Sequence, residues 1–237
     1  MNNYELLLEI NNKAQKNIML LNSHGKIEEL NKCMFFLEDV QNWLSCCGCF
    51  SDYPLVKKAQ TECTYSIFMC SQGFYGEAIT NLRQFLEHML FAIWLSTNDY
   101  AYRLWKAGQY DMSWARIMED QDGIFSKKFI RMYAVDLNED RSMELISISR
   151  EVYRECSEFI HGNFEKISIL SNGVAYNEKA FDCYIKIFSS IQYVICVALF
   201  IRFRHVLDNS EILEKLEPVI ADNLNMLSEV QLLFNLE

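Results

Sequence analysis

Proline stands at only two positions, Pro54 and Pro218, and glycine at eight, in a chain of 237 residues. Proline removes a helix hydrogen bond and clashes with the preceding turn, and glycine is the next most costly residue inside a helix. A chain this poor in both can run through many unbroken turns. Between the breaks, leucine, isoleucine, phenylalanine and methionine recur at three- and four-residue steps, which lines one side of a helix with apolar groups. The expected fold class is all-α, a helical bundle in one domain, with enough apolar residues to bury a large core.

The periodicity predicts helices over 3–21 and 27–44, a connection over 45–54 bracketed by Gly48 and Pro54, and an antiparallel hairpin of helices over 55–71 and 75–95. Brief helices follow at 99–107, 113–119 and 125–133. Asp140 or Ser142 is the expected cap of a helix that runs to Ile160 or His161, with Glu144 in its first turn. Residues 162–175 read as a loop from their Gly, Asn and Ser content. Two long helices, 177–207 and 210–234, end the chain, with Pro218 an obstacle inside the second.

Nine cysteines, an odd number scattered through helical patterns, point to free thiols in a reducing cytoplasm. The net charge of −10 excludes adhesion to nucleic acid over the whole surface, so any such site is local. The most apolar run, Ile187 to Ile201, is fifteen residues long and contains two serines and a glutamine. A membrane span takes about 20 apolar residues, so this run reads as the central helix of the bundle, with no membrane association.

The segment from Arg150 to Asn163 carries the candidate chemistry. Arg154 precedes His161 by seven positions, close to two full turns, so both lie on one helix face about 10 Å apart along the axis. Arg150 precedes Arg154 by four residues and Glu158 follows it by four, which extends the ionisable stripe, and Gly162 stops the helix just past the imidazole. Cleaving RNA without a metal needs a base for the 2′-hydroxyl proton and a cation for the charge that builds on the phosphate. A histidine and an arginine supply both.

An arginine, six intervening residues and a histidine near a helix end, in an all-α chain, resembles the HEPN superfamily, and the helix holding Asn81, Arg83 and Glu87 is similar to one seen in some bacterial helical families of this kind. The resemblance is strict over about eight residues. It implies a helical core over 55–207, preceded by an N-terminal hairpin over 1–50 and followed by a C-terminal helix over 210–235. It further implies a homodimer and, in active members, a metal-independent endoribonuclease of toxin–antitoxin or antiviral defence systems, with RNA as substrate, no cofactor, and an antitoxin or other protein as possible partner. On that reading Arg154 clamps the phosphate and His161 is the general base or acid. Arg150, Glu158 and Asn163 bind substrate or support the pair. Many members carry Asn, Asp or His directly after the arginine, and toxin members often have a tyrosine two residues past the histidine; this chain has Glu155 and Asn163.

Side chains on a helix lean toward its N-terminus, which tips Arg154 away from His161 in one chain. An antiparallel two-fold pairing would set the arginine of one copy against the histidine of the other. The alternative is a non-catalytic helical module that uses the same groove for a protein or nucleotide partner. Elsewhere, Cys46-Cys47-Gly48-Cys49 has no second C-x-x-C and no downstream Cys or His at finger spacing to complete a zinc site. Arg83 with Glu87 reads as an internal pair steadying the hairpin, Trp94, Trp105 and Trp114 as packing, and Arg202, Arg204, Lys127, Lys128 and Arg131 as cations turned to solvent.

Overall fold

The computed structural model describes residues 2–170 and 173–234. Twelve α-helices and no strand occur among them. In chain order they are α1 (Asn3–Ser23), α2 (Ile27–Ser45), α3 (Pro54–Ser71), α4 (Tyr75–Leu95), α5 (Asp99–Lys106), α6 (Trp114–Ile117), α7 (Lys127–Tyr133), α8 (Ser142–Ile160), α9 (Phe164–Leu170), α10 (Glu178–Phe203), α11 (Ser210–Leu224) and α12 (Ser228–Phe234). The all-α bundle follows from the sequence as expected.

Two helices form the centre. From Met89 to Leu95 in α4, and from Val194 to Ile201 in α10, every side chain is buried, which happens only when neighbours surround a helix on all sides. The α3–α4 hairpin is the most extensive pairing, α8 lies across α4 and α10, and α2 and α11 cover the remaining sides. The connection after α2 is a 3-10 turn, Gly48–Asp52, and Pro54 then opens α3 in the first turn, where an N–H has no intrahelical acceptor. Together with its continuing 3-10 turn, α10 is long and apolar enough to cross a membrane, yet 67% of its most apolar stretch is buried inside the bundle.

α1 behaves differently. Only Ala14, Asn17 and Leu21 are buried, and of its residues before Ala14 only Ile10 is even partly covered. Its attachment is specific: Asn17 Nδ2 donates to the Gln72 carbonyl at 2.7 Å, and Gly73 leaves the space, since a Cβ there would lie 2.2 Å from that nitrogen.

Three expectations fail at boundaries. Neither Asp140 nor Ser142 caps α8. Asn138 caps a 3-10 turn, Glu139–Arg141, that leads into α8 without a side-chain cap of its own. The loop expected over 162–175 contains α9, because Asn163 accepts from the backbone N–H of Glu165 and of Lys166 and so starts a helix in a stretch free of Gly and Pro; Ser171 and Asn172 lie outside the described residues. The single helix expected over 210–234 is two. Pro218 sits inside α11 on an exposed side without ending it, and the break comes later, between Leu224 and Ser228.

The second of these helices is latched to the start of α8. Arg141 Nε and Nη2 each donate to a Glu229 oxygen at 3.0 Å, and the Asn138 N–H adds a third bond at 3.2 Å. Partial burial works against the Glu229 charge, but these donors, with the Ser228 hydroxyl, overcome it and hold the carboxyl down at about 2.

All nine cysteines are free, and six are buried. Burial pushes the Cys33, Cys47 and Cys156 thiols up to about 12.

Candidate functional site

α8 forms because Leu145, Ile146, Ser149, Val152, Cys156 and Phe159 recur on the face turned to α4 and α10. That arrangement leaves Met143, Ser147, Arg150, Arg154 and His161 exposed on the outer side. Met143, Ile146, Ser147, Arg150, Glu151 and Arg154 line an open depression of about 480 Å³ along this face. Glu158 and His161 lie beyond its rim. The single chain therefore keeps Arg154 and His161 on one face but does not bring them into one cavity.

The stripe residues differ in how they are held. Arg150 Nη2 donates to the Met118 carbonyl at 2.7 Å and to Asp120 at 3.0 Å, so it anchors the segment after α6 to α8. Arg154 is 73% exposed and stands 3.8 Å from the Glu158 carboxylate, an ion pair too long to be a hydrogen bond. Its guanidinium is thus loosely held. Among the described residues His161 has no side-chain hydrogen-bond partner. Its backbone N–H bonds to the Ser157 carbonyl at 2.8 Å.

The end of α8 is built by the sequence just past the histidine. Gly162 takes φ +87°, a left-handed conformation that costs a side-chain-bearing residue dearly, and the Asn163 N–H returns to the Glu158 carbonyl at 3.1 Å. The chain then doubles back, and Lys166 meets Glu155 at 3.0 Å with its ammonium over the Phe159 ring. Glu155 thereby clasps α9 to α8. Asn163 has its side-chain oxygen engaged in capping α9, where the sequence suggested substrate binding or orientation of His161.

Beneath the stripe lies a network that sequence reasoning found only in part. Arg83 does pair with Glu87, at 3.3 Å, but its shorter bond, 2.6 Å, goes to the Tyr153 hydroxyl on α8. Trp114 stacks on the Tyr153 ring at 4.1 Å. A second missed pair is Glu62, buried in α3, whose Oε2 lies 2.6 Å from His88 Nδ1, while Lys58 stands 3.2 Å from its other oxygen, off the hydrogen-bonding direction. Its one signal in the sequence is Lys58 four residues before Glu62.

The other cations singled out in the sequence have partners. Lys127, Lys128 and Arg131 pair with Asp140, Asp122 and Glu139, and Arg204 with Asp136 and Asp208. Arg202 turns inward rather than to solvent: it donates to the Ser96 hydroxyl and carbonyl and lies against the Tyr133 and Phe203 rings, and burial lowers its pKa. No group of three or more His, Cys, Asp or Glu side chains gathers at metal-binding distance among the described residues, so Cys46, Cys47 and Cys49 have no assembled partners there.

Comparison of the chain with protein-family models, with curated proteins and with solved structures finds no match.

Proposed function

We propose that this chain is a HEPN-like, metal-independent endoribonuclease of a bacterial toxin–antitoxin or phage-defence system, with each site built from two copies across a two-fold axis. The observation that carries the reading is the pairing of a loosely held guanidinium, Arg154, with an exposed imidazole, His161, on one face of α8, where most neighbouring cations are spent on carboxylates. In the proposed reaction His161 takes the proton from a ribose 2′-hydroxyl, and the 2′-oxygen attacks the adjacent phosphorus. The bond to the 5′-oxygen breaks, that oxygen leaves with a proton, and a 2′,3′-cyclic phosphate remains. Arg154 of the other copy neutralises the phosphate oxygens as charge builds on them.

The test is incubation of the purified protein with structured and single-stranded RNAs in EDTA, beside His161→Ala and Arg154→Ala. Cleavage by wild type alone, with cyclic phosphate ends, supports the reading; intact RNA in all three overturns it. A second reading, a helical binding module without catalysis, is favoured by one specific feature: Glu151, Glu155 and Glu158 interleave with the arginines and leave the stripe without net positive charge. RNA or nucleotide bound but never cut would decide for it.

A further inference from the structure

Helices α3 and α4 hold a carboxylate–imidazole pair that the candidate site does not use. Glu62 is 1% exposed, and its Oε2 lies 2.6 Å from His88 Nδ1. A carboxylate accepts, so Nδ1 carries the ring proton and Nε2 keeps its lone pair. That second nitrogen meets no hydrogen-bond partner among the described residues and is not sealed in the core, the ring being 22% exposed. Lys58 on α3 and Gln84 on α4, each four residues before a member of the pair, and Tyr65, three after Glu62, are exposed, so this edge of the hairpin is open. A pair that served only to join two helices would do so as well with apolar groups, because withdrawing a carboxylate from water is costly.

We propose that His88 is a phosphoryl-acceptor site, with Nε2 as the atom modified and Glu62 as its positioning residue. The donor is of the phosphoramidate class, a phosphoryl group carried on a protonated nitrogen, and transfer exchanges one P–N bond for another. Nε2 attacks phosphorus and forms the new P–N bond as the donor's P–N bond breaks. The electron pair of the broken bond stays on the departing nitrogen, which leaves as a neutral amine, and no atom is oxidised or reduced. Positive charge develops on the ring, and the Glu62 carboxylate offsets it at Nδ1. Lys58, with its ammonium 3.2 Å from Glu62 Oε1 and its side chain 57% exposed, supplies a cation on the same edge for the phosphoryl oxygens. General-base chemistry would need a substrate cavity at the imidazole, and the principal depressions of the described surface are lined by other residues. A metal would need further ligands, and no three His, Cys, Asp or Glu side chains gather here among the described residues. An acceptor needs only an open edge that a donor can approach. The modification uses neither Arg154 nor His161 and stands or falls separately from the nuclease reading.

Treating the full chain with potassium phosphoramidate at about pH 8, followed by digestion and mass spectrometry, gives the rate at each of the four histidines. His24, His161 and His205 are all exposed, so accessibility alone would modify them first and His88 last. The proposal expects the reverse: His88 gains one acid-labile, alkali-stable phosphoryl group about tenfold faster than any other histidine. Glu62→Gln should slow His88 about tenfold and leave the other three rates unchanged. The glutamine oxygen still accepts from Nδ1, so a merely structural pair would keep its rate, and only a role for the carboxylate charge predicts the loss. The ring ¹⁵N spectrum of wild type at the same pH should show the proton on Nδ1 and a bare Nε2. The proposal is overturned if His88 reacts no faster than the exposed histidines, if the phosphoryl group sits on Nδ1, if the proton sits on Nε2, or if Glu62→Gln reacts at the wild-type rate. Should Glu62→Gln fail to fold, the ranking of the four histidines and the ring spectrum in wild type decide alone.

Discussion

Replacing Glu229 with glutamine should destabilise the protein at neutral pH and do so progressively less as the solution is acidified. The carboxyl has an ordinary value of 4.5 and is held at about 2 by Arg141, the Asn138 N–H and Ser228, and its side chain is only 13% exposed, so solvent screening removes little of the effect. A folded-state pKa below the unfolded one contributes stability that is complete above the unfolded value and lost as pH falls through the folded value. Between 4.5 and about 2 the linkage amounts to about 3 kcal/mol at pH 7 and about 2 kcal/mol at pH 3.5, vanishing only near pH 1. Urea unfolding of wild type and Glu229→Gln, followed by circular dichroism at both pH values, isolates this residue because all other carboxylates titrate alike in the two proteins. The gap between the curves should narrow by about 1 kcal/mol from pH 7 to pH 3.5. A gap that stays constant with pH, or that is below about 0.5 kcal/mol at pH 7, the range of an ordinary surface substitution, would refute the reasoning.

Two further outcomes are expected. Gly162→Ala should cost about 1 kcal/mol in thermal or urea unfolding through its left-handed backbone alone, since a methyl group there meets only Ile167 at an ordinary 3.6 Å. An equal or greater stability for the alanine protein would contradict the φ of +87°. Titration with a thiol reagent at pH 8 should label Cys49 first and the half-buried Cys46 and Cys183 later, and should reach the six buried thiols only on unfolding; rapid labelling of more than three thiols in the native protein would show the core to be looser than described.

What could be read from the sequence was the local part of the fold. Ala78, Leu82, Phe85 and Leu86 announce α4 through spacing alone, because a buried helical face and its sequence period are the same fact. The failures fall where competition between local groups decides. Asn138, Asp140 and Ser142 are all competent caps, and Asn138 took a 3-10 turn ahead of α8, leaving α8 uncapped by any side chain; Asn163 was equally able to sit in a loop or to start α9. At the candidate site, the stripe of Arg150, Arg154, Glu158 and His161 was visible as spacing. The long-range partners of α8 were not, because Asp120, Lys166 and Arg83 reach Arg150, Glu155 and Tyr153 through tertiary folding, 30, 11 and 70 residues away in the chain.

The Glu155–Lys166 bridge closes a loop whose other arm is the backbone itself, and His161 sits midway round that loop. His161 itself is tied to α8 through the Ser157 carbonyl, and what the bridge holds is α9 beside it. Charge reversal at Lys166 should therefore loosen α9 while the buried face of α8 stays in place, changing the walls around the imidazole without touching it.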